Sequence, residues 1–315
     1  MPEADTTVAL LNFAGAANAA LDRLLRENPE VILYGEDVAI PGGVFGVTKG
    51  LHKLHGDRVF DTPISESAML GVALGASMFG ARPIVEIMWA DFLLVGIDQI
   101  VNQMANARYV SEGQITPSIT IRTQQGSQPG ACAQHSQSLE ALLTHVPGIR
   151  VCLPSTPQDA YSILISAAHV DDPVVVIENR NHYHGPKEAV LLGGPPEPLG
   201  RARIERSGWD VTLVSWGGSM HVAREACDKL ESHRVAVELI DARWLAPFDW
   251  ETLYSSLERT GRLVVLHEAN LTGGFGGEIV ARVAESGPAL RARPIRIAAP
   301  DTRLPAAPNL VASLI

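Results

Sequence analysis

The sequence predicts an α/β protein built as two domains. Short β-branched runs alternate with longer Ala-rich segments of helical period, the pattern of a parallel sheet covered by helices. The 315 residues exceed what one hydrophobic core ordinarily organises. Between two such series lies GPKEAVLLGGPPEPLG at 185–200, whose four prolines and four glycines read as a linker free of regular structure. The expected domains are therefore 1–184 and 201–315, joined by 185–200.

In chain order, the Ala-rich stretch 12–26 reads as a helix and VILY at 31–34 as a strand. A Gly- and Ala-rich helix over 67–80 precedes the strand PIVEI at 83–87. A helix over 92–110 then leads to SITIR at 118–122, a polar loop over 124–137 and a helix over 136–145. The strands RVCL at 150–153 and VVVIE at 174–178 flank a helix over 157–169. Beyond the linker, strands are expected at 210–215, 235–240 and 261–267.

Charge and hydropathy exclude several classes. Twenty-five Lys and Arg against 35 Asp and Glu give a net charge of −10 with no long basic run, which argues against nucleic-acid binding. The apolar stretch 67–81 has 15 residues, too few to cross a bilayer, so no membrane partner is expected. An acidic start, MPEADTTVALLNF, lacks the basic opening of a secretory signal. Cys132, Cys152 and Cys227 form no metal spacing and no even disulfide framework, and a cytoplasmic location is expected. Between Asp61 and Arg180 only five basic and eleven acidic residues occur, so this region faces either a partner chain or tight packing within one chain. Gly71, Gly75 and Gly80 would let another helix approach closely.

Four segments could carry chemistry. Glu66 is expected in the first turn of the glycine-striped helix, with Ser65 as its cap; it is either a dipole-stabilised terminus or a buried acid with a specific partner. Met88 and Phe92 follow a strand end, where ligands of open α/β sheets bind, and serve either as corner core or as a wall for a flat heterocycle. His135 lies in a polar loop with Ser136 as a helix cap, and its spacing from Cys132 does not define a thiol–histidine pair. TGGFGGE at 272–278 fits a close helix–strand turn better than a dinucleotide site, because the third glycine position of G-x-G-x-x-G falls on Ile279. His182 and His184 have no third ligand to complete a metal site.

Taken together, GEDVAIPGGVFGVTKGL at 35–51, RVFDTPISE at 58–66, VEIMWADF at 85–92, IDQIVNQ at 97–103, AQHSQSLEA at 133–141 and TGGFGGEI at 272–279 carry a resemblance. Over about residues 8–311 the chain resembles the β-subunit of thiamine-diphosphate-dependent 2-oxo acid dehydrogenases. The resemblance implies a transketolase-like pyrimidine-binding domain followed by a transketolase carboxyl-terminal α/β domain, in a heterotetramer of two α and two β chains. Thiamine diphosphate would lie at the α/β interface, with Mg²⁺ and the diphosphate held by a G-D-G motif of the α-subunit that this sequence lacks. By the same resemblance Glu66 would bond the pyrimidine ring nitrogen, Met88 and Phe92 would line the ring, and His135 would face the 2-oxo acid and the lipoyl group. A monovalent cation such as K⁺ would map on Ile119, Ala167, Val170 and Asp172. The implied activity is decarboxylation of a 2-oxo acid and acylation of the lipoamide of an acyltransferase component. A non-catalytic assembly subunit of the same fold is the alternative, and the presence of Glu66, Phe92 and His135 favours catalysis.

Two departures from the pattern bear on these expectations. QQGSQPGACA before His135 replaces a stretch richer in glycine and arginine, which leaves pyruvate, branched-chain 2-oxo acids and acetoin open. The sequence stops at Ile315, about a helix earlier than the pattern, and 305–315 has no charged side chain. Either the native chain ends there, and acyltransferase docking is expected to be weak and less salt-sensitive than a charge-steered interface, or a tail continues beyond it.

Overall fold

The computed structural model describes residues 6–128 and 130–311. They divide into two compact units, 1–125 with 146–199 and 126–145 with 200–315. The segment of His135 therefore counts with the second unit, although it interrupts the first in sequence.

The first unit contains strands β1 (Thr7–Leu11), β2 (Val31–Gly35), β3 (Val59–Asp61), β4 (Arg82–Ile87), β5 (Thr120–Gln125), β6 (Arg150–Cys152), β7 (Val174–Asn179) and β8 (Glu188–Leu192). Within this unit six of them form a parallel sheet in the order β6-β7-β5-β4-β2-β3. Every residue of β5 and β7 is buried, as expected where helices cover both faces of parallel strands. Helix Phe13–Glu27 starts where the Asn12 side chain accepts from the Gly15 amide at 3.0 Å. Helix Pro157–His169 starts where Thr156 accepts from the Asp159 amide at 3.1 Å, with proline at its first position. These two helices pack together.

The second unit contains β9 (Arg203–Arg206), β10 (Val211–Ser215), β11 (Val237–Asp241), β12 (Trp244–Ala246), β13 (Leu263–Asn270) and β14 (Ile295–Ala299). Its sheet runs β14-β13-β10-β11-β9, with only β9 antiparallel. Leu213, Met220, Ala223, Cys227, Val237 and Leu239 form a core beneath helix Ser219–Ser232. The chain leaves β10 toward β11 on one side and returns to β13 on the other. The carboxyl ends of β10 and β13 therefore make a topological switch point.

The structure corrects several expectations. The 185–200 stretch is not free of regular structure: β8 pairs antiparallel with β1, Thr7 opposite Leu192 and Leu11 opposite Glu188. Its prolines at 186, 195, 196 and 198 flank the strand rather than enter it, and Val190 is buried. The single helix expected over 92–110 is instead a 3₁₀ turn Ala90–Leu94, a π turn Gln99–Met104 and an α-helix Ala105–Val110. Gly96 lies at the break, where Val95 and Gly96 donate to the Phe92 and Leu93 carbonyls, and a Cβ there would lie 2.4 Å from Leu70 and 3.2 Å from the Glu66 carbonyl. Gln124 and Gln125 belong to β5 rather than to the polar loop. The helix expected at 136–145 is confined to Glu140–Thr144, so Ser136 is not its cap. Gly80 lies beyond helix Glu66–Met78, in a left-handed turn at φ +90°. Pro129 and the end of the 305–315 segment, 312–315, lie outside the described residues. Among the described residues no helix is long and apolar enough to cross a membrane.

Candidate active site

Glu66 is the first residue of helix Glu66–Met78 and only 7% exposed. Ser65 holds the cap position, but its side chain makes no capping hydrogen bond. The helix is fixed onto the sheet by Tyr34 of β2, whose buried hydroxyl donates to the Met69 carbonyl at 2.9 Å while its ring stacks on Phe60 at 5.1 Å. Thr62 donates to the Gly35 carbonyl at 2.9 Å, which sets the turn leading into Glu66. Within the described residues no hydrogen bond or ion pair engages the Glu66 carboxylate. A nearly buried carboxylate in that condition calls for a donor from outside the chain.

Glu36 lies close to it. Burial raises the Glu36 pKa, and the neighbouring charges of Glu66 and Asp37 raise it further. Glu36 follows β2, Glu66 follows β3, and Met88 and Phe92 follow β4, so all four are gathered at the carboxyl ends of adjacent strands. Gly35 permits the close approach there, since a Cβ would stand 2.7 Å from the Glu86 carbonyl oxygen. Met88 and Phe92 are both half-buried rather than core, which leaves surface to contact a ring.

Beneath this edge lies a charge cluster that sequence reading passed over. Arg122 of β5 is fully buried and donates in a fork to Glu178 of β7, at 2.9 and 2.7 Å. Its remaining nitrogen donates to Glu86 of β4 at 2.5 Å, Gln124 donates to Glu86 at 3.2 Å, and the Tyr183 hydroxyl donates to Glu178 at 2.5 Å. Two carboxyl groups face one guanidinium. Burial pushes the Glu86 pKa up, opposed by the Arg122 charge and helped by that of Glu178.

The four residues expected at a monovalent cation lie at the opposite, amino-terminal end of the same sheet. The Ile119 carbonyl accepts from the Val174 amide at 2.9 Å, and the Ala167 carbonyl from the Val170 amide at 3.2 Å. The Val170 carbonyl accepts from Arg82 at 3.2 Å, while Asp172 receives Arg108 at 2.7 Å and Arg150 at 2.9 Å. Carbonyl and carboxylate oxygens are the donors a hard cation takes, although here the Val170 carbonyl and Asp172 already face three guanidinium groups.

In the second unit His135 ends the 3₁₀ turn Ala133–His135 and is half-buried. Cys132, at φ +49°, directs its thiol to the Gln134 side chain. Ser136, Gln137, Asn270 and Arg303 line a small cleft beside the turn. Nearby, the TGGFGGE turn packs on His267 of β13, as expected for a close helix–strand contact. A Cβ at Gly274 would lie 2.5 Å from the imidazole, and one at Gly276 2.7 Å from it. Burial, and then the charge of Arg296, push the His267 pKa down to about 4, opposed in part by the Ala269 backbone. The unfolded chain protonates near pH 6.5 while the folded form resists, so this contribution is complete above that pH and is lost as pH falls toward 4. Wild-type stability is expected to drop by about 2 kcal/mol between pH 7 and pH 5 from this residue. Urea titrations at both pH values should show a flatter dependence in His267→Gln, and parallel dependences would exclude His267 as the source.

Residues 10–186 match the family model of the transketolase pyrimidine binding domain, and residues 200–315 that of the transketolase C-terminal domain. The chain is 42% identical to the acetoin:2,6-dichlorophenolindophenol oxidoreductase subunit beta of Cupriavidus necator, covering 95% of this chain and 92% of that one. It is 38% identical to the pyruvate dehydrogenase E1 component subunit beta of Bacillus subtilis, with the same coverages of 95% and 92%. To the 3-methyl-2-oxobutanoate dehydrogenase subunit beta of Mycobacterium tuberculosis it is 40% identical, over 87% of this chain and 79% of that one. A solved split gene transketolase, an inactive β4 tetramer, shares the fold at a TM-score of 0.76 and 23% identity, over 97% of this chain and 94% of that one.

Proposed function

Because the chain belongs to the transketolase-type β-subunits of the 2-oxo acid and acetoin dehydrogenases, we propose that it supplies the pyrimidine half of a thiamine diphosphate site completed by an α-subunit. The carrying observation is Glu66, a residue 7% exposed at the end of a parallel sheet whose carboxylate has no hydrogen-bonding partner within the described residues. An aminopyrimidine ring offers the donors such a group lacks, so the residues present fit the cofactor. Thiamine diphosphate, when bound, supplies the electron sink that a 2-oxo acid needs to lose carbon dioxide.

In this reading Glu66 would hold a proton shared with a ring nitrogen of the pyrimidine and so fix the ring's orientation. Met88 and Phe92 hold the ring plane and keep water from it. His135 serves the substrate and the lipoyl group of an acyltransferase component. The α-subunit holds Mg²⁺ and the diphosphate, because this sequence has no G-D-G. The enzyme works in the cytoplasm on pyruvate, a branched-chain 2-oxo acid or acetoin, and the loop before His135 bears on that choice.

The division of the site is directly measurable. Calorimetry on the isolated chain with thiamine diphosphate and Mg²⁺ is expected to show no tight binding, and addition of the α-subunit to produce it. Submicromolar binding by the isolated chain would falsify the shared site.

K⁺ at Ile119, Ala167, Val170 and Asp172 has a separate role, because these residues lie at the end of the sheet away from Glu66. Its binding would stabilise the first unit by mass action, by about 2.7 kcal/mol at a hundredfold excess over its dissociation constant. Melting temperature is expected to be higher in potassium chloride than in choline chloride of equal ionic strength. Equal values would remove the cation and leave Arg82, Arg108 and Arg150 as the charges that satisfy the loop.

A further inference from the structure

The switch-point crevice of the second unit, where an open α/β sheet ordinarily admits a ligand, is filled by the chain itself. Trp216 follows β10 and His267 lies on the adjacent β13; their rings stack at 5.4 Å with 13° between planes. Gly274 and Gly276 lie against the His267 ring, and Phe275 meets Trp216 edge-on at 6.0 Å. The Trp216 indole N–H donates to the carboxylate of Glu140 at 3.3 Å. Glu140 is completely buried, opens helix Glu140–Thr144, and stands five residues after His135. That helix also packs against helix Phe275–Ser286 and β12. At the surface the same segment is tied by Arg303 to Gln137 at 2.8 Å, an exposed contact that solvent weakens.

We propose that Glu140, seated in the switch-point crevice through Trp216, is a positioning residue that holds the His135 turn in its working orientation. The indole N–H is a donor only and is buried, so it requires an acceptor from the facing segment. The stacked imidazole and the glycines fix the plane of the indole and hence the direction of that bond. The TGGFGGE turn thereby acquires a purpose beyond compactness, since any side chain at 274 or 276 would displace the ring that aims Trp216. The proposal rests on the reading of His135 as the group facing substrate and lipoamide.

The test uses the complex assembled with its α-subunit and three variants, Glu140→Leu, Glu140→Gln and Trp216→Phe. Transfer to a lipoylated domain is expected to fall about 10- to 100-fold in Glu140→Leu. Decarboxylation read with an artificial electron acceptor should change much less. Glu140→Gln, which still offers an acceptor oxygen, should stay near wild type. Trp216→Phe keeps the aromatic stack without the donor and should fall between them, which covers the case in which Glu140→Leu does not fold. Hydrogen exchange of amides 133–139 supplies a readout independent of activity and is expected to rise in the order of the transfer losses. Unchanged exchange in Glu140→Leu and Trp216→Phe, or a Gln variant as impaired as Leu, overturns the proposal. Raised exchange with transfer intact, together with intact transfer in His135→Ala, keeps the anchor and instead removes the reading of His135.

Discussion

Glu66→Gln is expected to assemble normally with the α-subunit and to lose about 10²–10⁴-fold in activity, the range of a positioned acid–base group. The amide fills the same volume at the head of helix Glu66–Met78, so neither the Tyr34 to Met69 bond nor the turn set by Thr62 should change. What it loses is the capacity to share a proton with a ring nitrogen. The direct measurement is deuterium exchange at the thiazolium carbon of the bound cofactor. Slow exchange in the variant locates the loss before any substrate bond changes, whereas wild-type exchange with wild-type activity would reduce Glu66 to a helix terminus favoured by the dipole.

Arg122→Met should destabilise the first unit by about 3–5 kcal/mol, because it leaves two carboxyl groups in the core with no cation. Arg122 makes three hydrogen bonds to Glu86 and Glu178 from a position with no solvent exposure. Replacing all three together, as Arg122→Met with Glu86→Gln and Glu178→Gln, should recover much of the loss, since the penalty lies in the stranded charge rather than in missing volume. Urea unfolding of the two variants distinguishes these causes; equal destabilisation would assign the effect to packing instead.

The first-unit strands read from sequence were those whose apolar runs are buried on both faces, such as VILY, PIVEI and VVVIE. β1, β8, β9 and β14 escaped because they lie at sheet edges and leave much of their length exposed, so that even apolar runs such as VALL and AVLL are not buried on both faces. The 92–110 region kept a helical period through Gly96, and the close approach of that glycine to Leu70 at the break appears only in the folded chain. Glu66, Met88, Phe92 and His135 were named from sequence. The structure places the first three on one sheet edge and His135 in the other unit. Glu36 and the Arg122 cluster were missed although a signal existed for two of the cluster's members: Glu86 and Glu178 each interrupt an apolar run, PIVEI and VVVIE. Glu140 gave no such signal, because its partner Trp216 is 76 residues away and only the folded second unit brings them together.

The pairing of β1 with β8 also sets a timetable for synthesis. About 180 residues separate the two strands, so at a ribosomal rate of roughly 5–20 residues per second β1 waits on the order of ten to forty seconds for its partner. During that interval its backbone N–H and C=O groups lack their ladder partner, beside Val8 and Leu10, which stay exposed even in the folded chain. The nascent chain thus offers an early unpaired edge to chaperones or to neighbouring polypeptides, and a ribosome stall before Glu188 would prolong that exposure.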